Sequence, residues 1–258
     1  NTDYHNWKLE YPFAAPGREV ILNELIAKLR TLVIAGDVKA DEVFKLAQRH
    51  YGTVPRQAMP PRRNFIEPKQ VGIKRMVVKA PAELPHLVMG YRAPTLQNPE
   101  QDWKPYALQI LAGVLDGNES ARLNKHLVRE QQIASGAGAG YDATSRGPSL
   151  FTLEATPSEG KTVSDVEAAL RREIAQLVKD GVSEEELQRV KAQVTAGEVY
   201  KLDSLFYQAM QIGQMESIGL GHRTLQVMLE KLQGVTAEQV RQAAEEFLQD
   251  DSLTVAVL

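Results

Sequence analysis

The sequence predicts an α+β protein: an antiparallel sheet with helices packed on one face. Three observations carry this. Short apolar or alternating runs come in neighbouring pairs, as hairpin-linked strands do. A long series of segments with helical periodicity fills the region from about residue 160 to 248. One alternating run, Leu253 to Leu258, closes the chain as a last strand.

The first readable element is Leu32-Val33-Ile34-Ala35, an apolar run that stops at Gly36-Asp37 and reads as a buried strand followed by a turn. Asp41 is then expected to cap a helix carrying Val43, Phe44, Leu46 and Ala47, ended by Gly52 and Pro55. Between residues 55 and 70 the prolines Pro55, Pro60, Pro61 and Pro68 and the cations Arg56, Arg62 and Arg63 mark an extended linker. Ile73 to Lys79 and Leu87 to Arg92 read as strands. Trp103 to Leu115 reads as a helix with Tyr106, Ile110, Leu111 and Val114 on one side, although Gly113 weakens it. A second helix is expected from Ser120 to Glu130, with Leu123 and Leu127 four residues apart. Ile133 to Ala143 and Leu150 to Thr156 form a hairpin pair turned at Arg146-Gly147-Pro148. Ser164 with Glu167, Ser183 with Glu186, and Thr236 with Gln239 read as capping boxes that open three helices. Val255 and Val257 alternate with Thr254 and Ala256 in the final strand.

Composition narrows the function classes. The 258 residues carry a net charge of −3, so no basic excess points to nucleic acid. There is no cysteine, which excludes disulfides, thiolate nucleophiles and Cys-based metal sites. No apolar run reaches about 18 residues, so no membrane-spanning helix is expected. The five histidines, His5, His50, His86, His126 and His222, are too scattered to form a paired metal-ligand motif. Ser120 has no nearby His and no nucleophile-elbow pattern, which disfavours a serine hydrolase.

Several segments resemble one family in order and spacing. TLVIAGDVKADEVFKLAQRHYGTVP, GYRAP at 90–94 and LQILAGVLDGNESARLNKHLVREQQIASGAGAGY at 108–141 are similar to pieces of the pitrilysin/insulinase zinc peptidases. The third contains the family's Ser-x-Arg-Leu element as Ser120-Ala121-Arg122-Leu123. GVSEEELQRVK and GVTAEQVRQAAEEFL resemble its two late helix starts. A weak likeness between residues 30–38 and the C-terminal LTVAVL hints at an internal duplication.

The resemblance implies the fold of the repeated halves of pitrilysin/insulinase-like and mitochondrial processing peptidase-like proteins. On that basis residues 1–54 are the incomplete end of a first, zinc-bearing type of half, 55–70 the linker, and 71–258 a second half without zinc. The complete enzyme would use zinc on an inverted His-x-x-Glu-His motif in the first half. That motif is absent here, so neither a metal ligand nor a catalytic residue is expected in this chain. The implied partners are a peptide substrate and a homologous zinc-bearing half, in the same polypeptide or in a partner subunit, with a homodimer as an alternative. The expected compartment is the bacterial periplasm, with the cytoplasm as alternative. Many relatives carry an Arg and a Tyr where this chain has Val128 and Ser135, so gripping of substrate by that pair is not expected.

The candidate substrate-binding residues are Tyr91, Arg92, Gly138 and Tyr141. Tyr91-Arg92 offers an aromatic ring and a cation at a strand end, with a surface or paired role as the competing reading. Gly136, Gly138 and Gly140 alternate in one strand. They either leave a bare face for a peptide backbone or allow a helix to pack closely, and both readings stay open. Asp37 sits at a strand end, where a turn-forming role outweighs a catalytic one.

Overall fold

The structure, a computed structural model, describes residues 32–53 and 68–258. The linker and residues 1–31 lie largely outside them. The described residues fall in two compact units, divided after Ile66.

In the first unit Leu32 to Ala35 belong to no strand, and none of them is buried. The expected buried strand is therefore corrected: apolar composition alone does not make a strand without a ladder partner. A bend at Gly36-Asp37 leads into α1, Ala40–Tyr51. Its N-cap is Lys39, without a side-chain cap, and Asp41 stands inside the first turn rather than before it. There the carboxylates of Asp41 and Glu42 complement the helix dipole. No residue of α1 is buried, and Phe44 is 70% exposed.

The second unit holds five strands: β1 Lys74–Val77, β2 Leu87–Ala93, β3 Ala134–Tyr141, β4 Ser149–Pro157 and β5 Leu253–Val257. Their order in the sheet is β1-β5-β2-β4-β3. Three of the four pairings are antiparallel. The exception is β1, which lies parallel to β5 with Lys74 opposite Thr254. Sequence neighbours β1 and β2 thus do not pair, because β5 returns from the far end of the chain to lie between them.

The helices are α2 Trp103–Asp116, α3 Val163–Asp180, α4 Glu184–Leu202, α5 Leu205–Ile218, α6 Thr224–Gly234 and α7 Ala237–Phe247. None of the described helices is long and apolar enough to cross a membrane. The segment expected as a helix from Ser120 to Glu130 is wound as a π-helix over Asn124–Glu130, and its Gln131 N–H donates to His126 O at 2.9 Å. Leu123 and Leu127 are nevertheless buried as their spacing predicts.

The register shows which face is the core. Met89 lies opposite Leu153 and Val255, and Tyr91 opposite Phe151 and Leu253. All of these are buried under the helices. α2 contributes Tyr106, Leu108, Ile110, Leu111, Val114 and Leu115 to the same core. Gly113 has a reason to be there: a Cβ on it would come within 2.6 Å of Val190 Cγ1 in α4. The residue that weakens α2 locally is what lets two helices approach.

The first capping box is Thr162 with Asp165, two residues before the expected Ser164 and Glu167. Thr162 keeps extended backbone angles, which a cap requires. Glu167 is engaged elsewhere, accepting from Arg75 of β1 at 2.7 and 2.8 Å and from Arg171 at 3.0 Å. The boxes at Ser183/Glu186 and Thr236/Gln239 form as read. Gly181 ends α3 with φ +76°, a conformation that favours glycine.

Candidate functional site

Pleating sends alternate residues of each strand to the side away from the core. On β2 these are Val88, Gly90 and Arg92. On β4 they are Leu150, Thr152, Glu154 and Thr156. On β3 they are Gly136, Gly138 and Gly140, which stand opposite Thr156, Glu154 and Thr152. Leu150 is 50% exposed, and Glu154 and Gly136 are exposed as well. This face is small and polar where the other is large and apolar.

The glycine strand lies at one sheet edge, paired only with β4. A Cβ on Gly136 would meet nothing within 4 Å. One on Gly138 would sit 3.0 Å from Asp116 Oδ2 and 3.3 Å from Glu154 Oε1. Asp116, the last residue of α2, reaches this edge and accepts from the Ala139 N–H at 3.1 Å. The glycines differ in their surroundings: space is open at Gly136, and Gly138 is closed over by Asp116 and Glu154. His86 joins the same corner, with Nδ1 3.0 Å from Thr156 Oγ1 and Nε2 3.5 Å from Glu154 Oε2. Nothing in the sequence ties Asp116, Glu154 and His86 together; only the fold brings Asp116 and Glu154 to Gly138 and His86 to Glu154.

The four candidate residues separate. Tyr91 points into the core and is 1% exposed, so it is a packing residue and does not offer its ring to a ligand. Burial pushes its hydroxyl pKa up. Arg92 points to the other side, and its guanidinium donates to Pro68 O at 3.0 Å. Gly138 faces the same side as Gly136 but is buried, closed over by the Asp116 and Glu154 carboxylates. Tyr141 is half-buried, stacks on Phe151 with centroids 6.2 Å apart, and donates its hydroxyl to Pro94 O. Burial pushes this hydroxyl up too. Of the pair expected not to grip substrate, Val128 packs against the core, and Ser135 sits exposed at an irregularity of β3, its hydroxyl donating to Thr156 O at 3.3 Å.

Arg122 of the Ser-x-Arg-Leu element has a structural task. It grips Glu186 through two hydrogen bonds of 2.7 and 2.8 Å and donates to Gly181 O at 2.8 Å. It thereby clamps the turn between α3 and α4. Burial opposes the Glu186 charge, yet the hydrogen bonds from Arg122 and Ser183 bring its pKa down to about 2.

Among the described residues, no group of three or more His, Cys, Asp or Glu side chains is placed to hold a metal ion. His86, His126 and His222 each meet a single carboxylate: Glu154, Glu173 and Glu216. The described residues do not fit a zinc site. His5 lies outside them.

Known structures share this architecture. A protease from Helicobacter pylori superposes with a TM-score of 0.78 at 22% identity, over 87% of this chain and 54% of that one. The periplasmic protease PqqL of Escherichia coli gives 0.65 at 17% identity, over 86% of this chain and 24% of that one. These show a shared α+β fold. Residues 27–194, more than half of the chain, match the family described as the peptidase M16 inactive domain, and the chain belongs to that family. An uncharacterized zinc protease of Mycobacterium leprae is 26% identical over 220 residues, 84% of this chain and 48% of that protein. The chain spans about half the length of the curated relatives it matches.

Proposed function

We propose that this chain is the substrate-holding half of a zinc-dependent endopeptidase that degrades peptides or small proteins. It forms the chamber wall opposite a zinc-bearing half, which lies in the same polypeptide or in a partner. The observation that carries this reading is the open sheet face ending in the glycine strand, in a domain of a family described as inactive. An extended peptide can approach Gly136 without meeting side chains, and Thr152, Thr156 and Arg92 supply polar groups on the same side.

The test has two parts. The chain alone is expected to retain no stoichiometric zinc and to cleave no peptide; tight zinc with chelator-sensitive cleavage by this chain alone would sink the reading. In the complete enzyme, Gly136→Val, at a position where a new side chain has open space, is expected to raise KM for peptides at least tenfold while the fold, followed by circular dichroism, persists.

A second reading, a non-catalytic structural or assembly subunit, is favoured by Val128 and Ser135, which cannot grip as Arg and Tyr would. The sequence of the native gene product decides: an intact His-x-x-Glu-His motif upstream removes this reading. The periplasm is the proposed compartment. It suits a chain without cysteine and matches the place named for PqqL. Cell fractionation tests it.

A further inference from the structure

We infer that Asp116 guards the outer edge of β3, and that without it this strand pairs edge to edge with β3 of a second copy of the chain. The guard is separate from the peptide-holding reading and does not depend on it.

The sheet has two edges, β1 and β3. An uncovered edge is a row of backbone donors and acceptors that invites another strand, and proteins blunt it with lysine, proline or an added charge. β1 is four residues long and carries Lys74 and Arg75, both exposed. β3 is eight residues long, and from Ser135 to Tyr141 it carries no charge and no proline. Glycine and alanine alternate from Gly136 to Gly140, so no side chain there exceeds a methyl group. Such a strand has little to fix its register. It also matches its own copy. Paired antiparallel about a two-fold axis normal to the sheet, glycine meets glycine and alanine meets alanine, and a two-residue slip changes nothing.

Asp116 supplies what the strand lacks. Its Oδ2 accepts from the Ala139 N–H at 3.1 Å, on the side of β3 that β4 does not occupy. Gly140 O, by contrast, faces β4, where Thr152 Oγ1 donates to it at 3.2 Å. In a strand the N–H and C=O of one residue share a side, and successive residues alternate. The outward groups are therefore those of Ala137 and Ala139, and the carboxylate sits where a pairing strand's carbonyl would go. Asp116 is exposed, and it is the last residue of α2, where the negative end of the helix dipole disfavours an anion. Helix stability alone thus opposes a carboxylate at this position. A pairing centred on Ala139 would also bring the Asp116 carboxylates of both copies together. Glu154, with Oε1 3.3 Å from the Cβ position of Gly138, adds a second negative charge beside the same edge in each copy. Like charges brought close across a pair of strands oppose it.

The experiment is sedimentation velocity of the full chain from micromolar to submillimolar concentration. Asp116→Ala is expected to self-associate at a concentration about tenfold or more below that of the native chain. Asp116→Asn keeps an acceptor and loses the charge, so it should fall between the two. Ala137→Pro removes an outward donor and leaves the ladder to β4 intact, and it should return either Asp116 variant to native behaviour. Circular dichroism checks that each variant is folded. Should Asp116→Ala fail to fold, the isosteric Asp116→Asn, alone and with Ala137→Pro, makes the same comparison. Folded Asp116 variants that associate no more than the native chain overturn the guard. Association that survives Ala137→Pro also overturns it, because the contact then lies elsewhere. So does tighter binding of an added peptide without self-association, since the carboxylate would then be holding off a peptide and not a second copy.

Discussion

The two faces of the sheet are built from the same strands yet obey different rules. On one face Leu87, Met89, Tyr91, Phe151, Leu153 and Val255 are buried beneath helices. On the other, one residue along each strand, stand Val88, Gly90, Arg92, Thr152, Glu154 and three glycines of β3. The difference teaches where stability and binding reside. The covered face is constrained by volume, so substitutions there act on folding. The open face has little to pack against, so substitutions there should act on what binds to it.

The largest expected effect tests the covered face. Leu153→Ala removes a fully buried side chain and should destabilise by about 3 kcal/mol in urea unfolding. A loss below about 1 kcal/mol would mean that the two faces differ less than their burial suggests.

Next comes the Arg122 clamp. Arg122→Ala strands Glu186 at a half-buried position and should cost about 2 kcal/mol. This pair also has a pH signature. The folded pKa of Glu186, about 2, lies below its ordinary value of 4.5. Its stabilising contribution is therefore present above pH 4.5 and is lost as pH falls from there through about 2. Urea unfolding at stepped pH should show a smaller acid loss in Arg122→Ala than in the native chain.

Gly113→Ala sets a gain in helix propensity against overpacking on Val190. The net expectation is a loss of about 1 kcal/mol, and Val190→Ala should relieve it in a double-mutant cycle. A stabilised Gly113→Ala would show that α2 and α4 can move apart freely.

The smallest effect belongs to the open face. Leu150→Thr should change stability by less than about 0.5 kcal/mol in thermal unfolding, because the side chain is half exposed. A large loss would mark that face as packed, not open.

Much of this was legible in the residues. Periodicity located α2, α3, α7 and the hairpin β3–β4. Ser183/Glu186 and Thr236/Gln239 announced their helices because a capping box is a contact between residues three apart. The same rule misplaced the start of α3, since Ser164 and Glu167 have the right chemistry but the wrong backbone angles. Tyr91 and Arg92 show the limit for sites: neighbours in sequence, they point to opposite sides of β2, and only the register says which side is the core. The Asp116 contact with Ala139 spans 23 residues, and the Arg122 pairing with Glu186 spans 64. Neither leaves a local pattern.

The sequence by itself determined the class of fold, the helix starts with local caps, the absence of cysteine chemistry and of the inverted zinc motif, and the family resemblance. These depend on near-neighbour contacts, composition and the order of segments. Tertiary structure alone decided that β5 lies between β1 and β2, that Tyr91 is core, that Arg122 serves Glu186, and that a carboxylate closes over Gly138. Each of these depends on contacts between distant segments, whose geometry is set by how the sheet and helices pack and not by any run of residues.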